Sequence, residues 1–572
     1  MHSNDWFTSM KKINNDSEKR PDYSVLIPSA ILIPENLRAV GDLPAIVYPL
    51  SGGTVFDALY EQYRDAKEIL IVLGEGAKEA HRKIDPVIPD NVHMIEMDQV
   101  DDLAATVEFG LENLLDKHAT VIVNFSDTVA TGPILDKKDS FYSSSERFSD
   151  EWTFYDYIND ELRITHDRTQ STFIETRRGD AFVGVFRFDN PSLLASELQN
   201  AKDATNSKVS RFYLAIEQYS KHRSLKAVKA DDWLDIGHPA GYVAAQLQVK
   251  AREFNHINID QDRAILRKSS DDVDKFLGEI RWYLKLPSDV SYSAPRIFSY
   301  SLDYRNPWVE MEYYPYHTLN SLWLNGDLDS ASWARIFDKI SFLLDDFSRY
   351  RVEDPSSKIE SALRDMYLTK TIDRLEKLRR NDYFSGLFEN NVIINGKEYP
   401  SLETIEKLLD NIVPERLCKN GAEICLIHGD LCFANVMVDQ SYSFIKTVDP
   451  RGKFGPYDIY GDRRYELAKL AHSVDGKYDL IIKDRFTVSY GSDNSIEYSV
   501  NEPQGPNLYQ LLKECLSSQI DSHLDEIELI ESLLFLSMVP LHSESLDHQV
   551  AMLATGLQLL DRSTCYSLNE LI

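Results

Sequence analysis

Leu426-Ile427-His428-Gly429-Asp430-Leu431-Cys432-Phe433-Ala434-Asn435, followed by Val448-Asp449-Pro450-Arg451-Gly452, is the stretch from which this chain is best read. An apolar strand end runs into His-Gly-Asp. An Asn follows Asp430 by five positions, and a second, apolar-flanked Asp follows it by 19. Phosphoryl transfer from a nucleotide needs three groups close together. One carboxylate orients the acceptor hydroxyl, while an amide oxygen and a second carboxylate hold Mg²⁺ against the phosphates. Asp430, Asn435 and Asp449 are residues of those types in that order. Strand-like runs at 423–427, 436–438 and 443–448 flank them. A tight turn with Asp430 as its cap and Asn435 in a hairpin uses the same tripeptide, but has no need of Asp449.

The order and spacing resemble a kinase catalytic loop with its metal-binding Asp. The His-Gly-Asp form resembles the aminoglycoside phosphotransferase and choline kinase family, which phosphorylates small molecules. The resemblance implies an α+β, two-lobed, protein-kinase-like domain, with a small lobe at 251–318 and a large lobe at 319–572. It further implies Asp430 as the catalytic carboxylate, Asn435 and Asp449 as Mg²⁺ ligands, and ATP or GTP as donor. Such a fold pairs a strand Lys with a helix Glu. Lys268 and Glu279 are the candidates, with Arg267 or Lys275 equally able to pair. Glu310-Met311-Glu312-Tyr313-Tyr314 resembles the family's hinge, which makes Glu312 and Tyr314 candidates for meeting the base. His428 is expected to brace the loop. Glu466, in Tyr465-Glu466-Leu467-Ala468-Lys469, stands at the family's Asp-Leu-Ala position and is expected to brace it too. Arg451 and Lys453 could meet phosphate or acidic substrate groups, or form a solvated basic face. Trp333 to Asp346, Lys358 to Lys377 and a long stretch from Glu526 to Asp561 have the apolar spacing of large-lobe helices, with His542 expected in the core.

The N-terminal third alternates strands (23–30, 68–73, 92–97, 120–125) with helical stretches (52–63, 76–83, 101–115). Near-continuous apolar strands in such alternation imply an α/β domain with a mostly parallel sheet covered on both faces. Later strands are expected at 182–188 and 233–236. Val25-Leu26-Ile27-Pro28-Ser29-Ala30, Val121-Ile122-Val123-Asn124-Phe125-Ser126-Asp127, Phe182-Val183-Gly184-Val185-Phe186 and Trp233-Leu234-Asp235-Ile236-Gly237-His238-Pro239 resemble, in order, segments of sugar-phosphate nucleotidyltransferases with a Rossmann-like fold. The resemblance covers about 22–250, after a polar tail at 1–21. It implies Asp127 and Asp235 as metal carboxylates and CTP or UTP as a nucleotide. The chain departs from that family at the loop after the first strand, Ile31 to Arg38, which lacks glycine until Gly41. Backbone cannot easily approach a triphosphate there. The family's Lys after Pro falls at Ala45, leaving Arg38 as a partial substitute. An altered nucleotidyltransferase and a binding or assembly module of the same fold both fit.

With 572 residues the chain is too long for one core. A net charge of −30 disfavours a nucleic-acid partner. Five scattered cysteines without C-x-x-C spacing suit a reducing cytoplasm and disfavour zinc. The start of the chain carries no signal-peptide pattern, and no apolar run suggests membrane insertion. The fusion resembles bacterial capsule and lipopolysaccharide precursor enzymes. That implies a small-molecule hydroxyl substrate (a sugar, polyol or amino alcohol) that is phosphorylated and then activated by nucleotidyl transfer. A catalytically silent scaffold in such a biosynthetic complex is the alternative. Homo-oligomers or biosynthetic enzyme partners are compatible with either.

Overall fold

The computed structural model describes residues 22–32, 40–50, 53–74, 77, 80, 88–147, 152–167, 178–203, 209–238, 241–242, 255–260, 263–419, 422–491 and 494–564. The polar tail, Arg38, most of the 76–83 stretch and Cys565 lie outside them. The chain divides into two compact units. The first comprises Met1–Glu35, Leu43–Val47 and Thr54–Tyr242, and the second Asn36–Asp42, Tyr48–Gly53 and Val243–Ile572.

The first unit is built on a sheet of nine strands: β1 (Tyr23–Ser29), β2 (Glu68–Leu73), β3 (Val92–Glu96), β4 (Thr120–Asn124), β6 (Ser140–Arg147), β7 (Phe154–Ile158), β8 (Glu161–His166), β9 (Arg178–Phe188) and β10 (Lys226–Lys229). The order is β8-β7-β9-β4-β1-β2-β3, with β6 on β9 and β10 on β6. Strands β4, β1, β2 and β3 are parallel, with Val25 opposite both Ile69 and Ile122. Both β1 and β2 are buried along their whole length, which explains their unbroken apolar character. From β9 outward the pairing is antiparallel except between β10 and β6, which run parallel; of these outer strands the sequence reading places only β9, at 182–188.

Helix α1 (Val55–Tyr63) starts with a capping box, in which Thr54 and Asp57 satisfy each other's backbone N–H. Helix α2 (Leu103–Asn113) is capped by Asp102, and α3 (Pro191–Asn200) and α4 (Arg211–His222) follow later in the chain. The core packs Leu26, Val72, Val107, Val123, Phe186 and Phe212 together. Residues 233–236 do not join the main sheet. Strand β11 (Asp232–Asp235) instead forms an antiparallel ribbon with β5 (Thr128–Thr131), placing Asp235 opposite Thr128.

The second unit begins with a four-stranded antiparallel sheet in the order β12 (Asn255–Asp260), β13 (Ile265–Ser270), β15 (Trp308–Glu312), β14 (Ile297–Ser301). Helix α5 (Val273–Lys285) follows β13 and buries Phe276, Leu277, Glu279, Ile280 and Trp282. Beyond it the unit is mainly helical: α6 (Ser330–Ser348), α7 (Lys370–Leu378), α8 (Arg463–Val474), α9 (Leu524–Met538) and α10 (Leu546–Ser563).

Between these helices, β16 (His317–Thr318), β18 (Val436–Val438) and β19 (Ile445–Thr447) form a small sheet, and β17 (Ile424–Leu426) pairs with β20 (Tyr460–Asp462). Two expectations are corrected. The stretch 526–561 is two helices separated by a 3₁₀ turn at Val539–Leu541 and a short loop, and His542 in that loop is partly exposed rather than core. The stretch 358–377 is broken by a π turn at Asp365–Thr369. No helix among the described residues is long and apolar enough to cross a membrane.

Candidate phosphotransfer site

Asp430 and Asn435 lie in the loop between β17 and β18, and Asp449 just beyond β19. The hairpin β18–β19 sets Val436 opposite Thr447 and so returns Asp449 to the loop. Val448 N–H donates to the Asn435 carbonyl (3.0 Å), and Arg451 N–H donates to the His428 carbonyl (2.9 Å). Both Nδ2 hydrogens of Asn435 go to Asp430, one to its carbonyl (2.9 Å) and one to Oδ2 (3.2 Å). The Asn435 Oδ1 accepts no hydrogen bond among the described residues, so it is the atom offered outward.

The sequence-predicted ion pair is present and extends to a third residue. Lys268 Nζ donates to both oxygens of Glu279 (2.8 and 2.9 Å) and to Asp449 Oδ1 (2.7 Å). Lys268 and Glu279 are buried, and burial pushes the Glu279 carboxyl up to about 7 against the pull of the ammonium. Arg267, on the other side of β13, pairs with Glu310 at the surface. Together Lys268, Glu279, Asp430, Asn435 and Asp449 line one cleft.

Asp449 holds φ at +57°, a left-handed conformation uncommon outside glycine and typical of positions fixed by their surroundings. The surroundings are visible two residues on. Gly452 (φ +63°) meets helix α5 so closely that a Cβ there would lie 2.1 Å from the Gly278 carbonyl oxygen. The loop carrying Asp449 and the helix carrying Glu279 therefore touch backbone to backbone, which brings the two carboxylates to one lysine.

Glu466 and His428 act beneath this layer. Glu466, near the start of α8, accepts the N–H groups of His428 (2.9 Å) and Gly429 (2.7 Å). Burial nevertheless pushes its carboxyl up to about 7. His428 is fully buried and held down at about 4 by burial; as a neutral ring its Nδ1 accepts the Asp430 N–H (3.3 Å). Trp282 packs edge-on against it and donates to the Ile427 carbonyl.

One residue escaped the sequence reading. Lys469, also on α8, sits 2.8 Å from Asp430 Oδ1. Burial alone would raise the Asp430 carboxyl, but the Lys469 ammonium outweighs it and holds the group well below the usual carboxylate range. The signal was available: Lys469 follows Glu466 by three positions, so both side chains lie on one helix face.

Part of the backbone around the hinge candidates is committed to the sheet. The Glu312 N–H donates to the Arg296 carbonyl and the Tyr313 N–H to Ala264, so those two groups are spent within the sheet. Tyr314 Oη donates to Glu312 (2.7 Å), and Lys446 lies over the Tyr314 ring.

In the first unit the ribbon β5–β11 brings Asp127 and Asp235 to one point. A Cβ on Gly237 would stand 2.5 Å from Asp127 Oδ2 and 3.4 Å from Asp235 Oδ1. Asp235 is held by Trp152 Nε1 (2.7 Å), His238 Nδ1 (2.6 Å) and the Gly237 N–H (3.0 Å). Ala45 is buried in a 3₁₀ turn and offers no charge, and Arg38 falls outside the described residues.

No family model and no curated protein matches the sequence. Solved structures similar to the chain are of two kinds. A UDP-glucose pyrophosphorylase from Acinetobacter baumanii is 12% identical over 39% of this chain and 91% of its own, with a TM-score of 0.31. HddC from Yersinia pseudotuberculosis, complexed with GMP-PN, is 14% identical over 39% and 98%, with a TM-score of 0.29. The ternary complex of the aminoglycoside phosphotransferase APH(2")-IIa with streptomycin and ATP is 13% identical over 54% and 91%, with a TM-score of 0.35.

Proposed function

We propose that the second unit is a small-molecule kinase that moves the γ-phosphoryl group of ATP or GTP to a hydroxyl of a sugar, polyol or amino alcohol. The observation that carries this is the convergence of Lys268, Glu279, Asp449, Asn435 and Asp430 on one cleft. In this reading Lys268, locked by Glu279, holds the donor phosphates. The side-chain oxygens of Asn435 and Asp449 are hard donors suited to Mg²⁺, which when bound would neutralise charge on those phosphates.

Asp430 orients the acceptor hydroxyl. The hydroxyl oxygen bonds to the γ-phosphorus as the bond from that phosphorus to the β,γ-bridging oxygen breaks, and the hydroxyl proton passes to Asp430. Because Lys469 keeps Asp430 weakly basic, its main work is orientation, with the proton arriving late.

The first unit, in the same reading, converts the phosphorylated product with CTP or UTP into an activated precursor for surface polysaccharide. The paired Asp127 and Asp235 support this. Uncharged Ala45 favours the second reading, in which the first unit only binds nucleotide or sugar phosphate.

The test is phosphorus NMR on the full chain with ATP, Mg²⁺ and a panel of sugars, polyols and amino alcohols, with CTP or UTP added afterwards. A new phosphomonoester that vanishes in Asp430→Asn supports the kinase. Its later conversion to a diphosphodiester supports the coupled activity, and persistence of the monoester supports the binding module. Near-normal turnover by Asp430→Asn would sink the assignment.

A further inference from the structure

Lys469, Arg451 and Lys370 lie within electrostatic reach of Asp430, and Arg374 within reach of Lys370 and Arg451, in a chain where 92 carboxylates outnumber 62 basic side chains. Lys469 on α8 is paired with Asp430. The other three are Arg451, in the loop after Asp449, and Lys370 and Arg374, on α7. None of the three has a carboxylate within ion-pair distance among the described residues. Arg451 donates to the Tyr465 hydroxyl (2.9 Å), Arg374 to the carbonyl and hydroxyl of Ser537 (3.2 and 3.4 Å), and Lys370 has no hydrogen-bond partner there.

The local fold assembles this group. Lys370 is the first residue of α7 after the π turn, and Lys370 and Arg374 are spaced to share one face, while Thr371, Leu375 and Leu378 take the buried one. The π turn is anchored by Tyr367, which donates to buried Asp462 and packs on Phe454 and Tyr465, the residue that Arg451 holds. Arg451 itself lies against the catalytic loop, since a Cβ on Gly429 would come within 2.9 Å of its Cβ.

Such an arrangement costs stability. Burial, and then the charges of Arg451, Arg374 and Lys469, hold the Lys370 ammonium well below the usual lysine range. Lys370, Arg374 and Arg451 are all half-buried, where clustered like charges repel one another, and an anionic ligand would offset the cost. The nucleotide phosphates have their own partners in Lys268, Asn435 and Asp449. Asp430 stands between those groups and the basic cluster.

Resting on the kinase reading, we infer that the acceptor carries an anionic group, a phosphate or a carboxylate, which is held by Lys370, Arg374 and Arg451 while its hydroxyl meets Asp430. The acceptor class is then a sugar or polyol phosphate, or a sugar acid. A neutral sugar or a cationic amino alcohol has nothing to offer this cluster. Arg supplies fork-shaped donors suited to a planar carboxylate or a phosphate face, and Lys supplies a point charge.

The experiment uses the full chain saturated with Mg·ADP, titrated with inorganic phosphate as probe, in wild type, Arg374→Gln and Lys370→Met. Phosphate affinity is expected to fall at least tenfold in each variant with Mg·ADP affinity unchanged. Lys370→Met is also expected to raise the thermal midpoint, because it removes a half-buried like charge that only a ligand needs. Phosphate binding that is absent, or the same in all three proteins, overturns the inference, as does a Lys370→Met variant that melts lower. A wild-type chain that fails to bind Mg·ADP overturns the kinase reading itself, and the assignment of the anion to an acceptor falls with it.

Paired acceptors then separate the sources. Hexose 6-phosphates and hexuronates are compared with the parent hexoses and hexosamines under ATP. At least a hundredfold preference for one anionic class is expected. A neutral or cationic member phosphorylated equally well would refute the inference.

Discussion

Exchanging Lys469 for methionine preserves most of the side chain's bulk and removes the charge beside Asp430. The pair lies 2.8 Å apart, with 11% of the lysine side chain and 32% of the aspartate side chain exposed. Separating a fully buried pair costs about 3–5 kcal/mol, because the surviving charge keeps no partner. Asp430 retains about a third of its side-chain exposure, and hydration of that part lowers the expected cost to about 2 kcal/mol.

The second unit, with about 340 residues, has an unfolding entropy near 0.7 kcal/mol/K, so its midpoint should fall by about 3 °C. A two-unit chain need not melt in one step, and the transition to follow is the one that Mg·ADP raises. The pair's contribution is complete above the unfolded aspartate pKa of about 3.9 and is lost only as pH falls toward the lower folded value. Measurements at pH 7 to 8 therefore see all of it. A double-mutant cycle with Asp430→Asn isolates the interaction. Coupling of about 2 kcal/mol is expected. Additive effects, with coupling under about 0.5 kcal/mol, would refute the claim that Lys469 holds Asp430 ionised.

Glu466→Ala strands the buried N–H groups of His428 and Gly429 at about 1–3 kcal/mol each, so the same transition should drop by several degrees, with Glu466→Gln losing less; an unchanged midpoint refutes the bracing role. Gly452→Ala should weaken Mg·ADP binding at least tenfold by calorimetry, because the new methyl drives helix α5, and Glu279 with it, away from Lys268; unaltered affinity would show that the contact relaxes freely. Burial holds His317 at about 4 and His472 at about 3, so each is neutral in the fold but protonates near pH 6.5 when unfolded. Their stabilisation is complete above pH 7 and is lost as pH falls from about 6.5 toward 4, by about 1 kcal/mol per histidine at pH 5.5. His317→Gln and His472→Gln should flatten the pH dependence of the midpoint between pH 8 and 5.5, and an unchanged slope counts against this account.

Asp430, Asn435 and Asp449 were legible in sequence as a candidate group because their residue types recur at fixed spacing around short loops. Asp430 and Asn435 share one loop, and a short hairpin returns Asp449 to it, so local geometry nearly dictates their meeting. The Lys268–Glu279 pair was readable for a similar reason: a strand followed at once by a helix keeps them 11 residues apart. The parallel half of the first sheet announced itself through strands buried on both faces. The outer strands beyond β9 did not, because strands with one wetter face carry a weaker apolar pattern.

What tertiary structure decided are the long-range encounters. Asp127 and Asp235, 108 positions apart, share a point only because β11 leaves the main sheet to pair with β5. Asp449 reaches Lys268 because two glycines, 278 and 452, let a loop and a helix touch. The cluster of Lys370, Arg374, Arg451 and Lys469 was invisible in a strongly acidic chain, since net charge averages over the surface while a ligand meets only the few groups that packing brings together. Sequence determined which residue types are available; packing decided which of their charges stand close together.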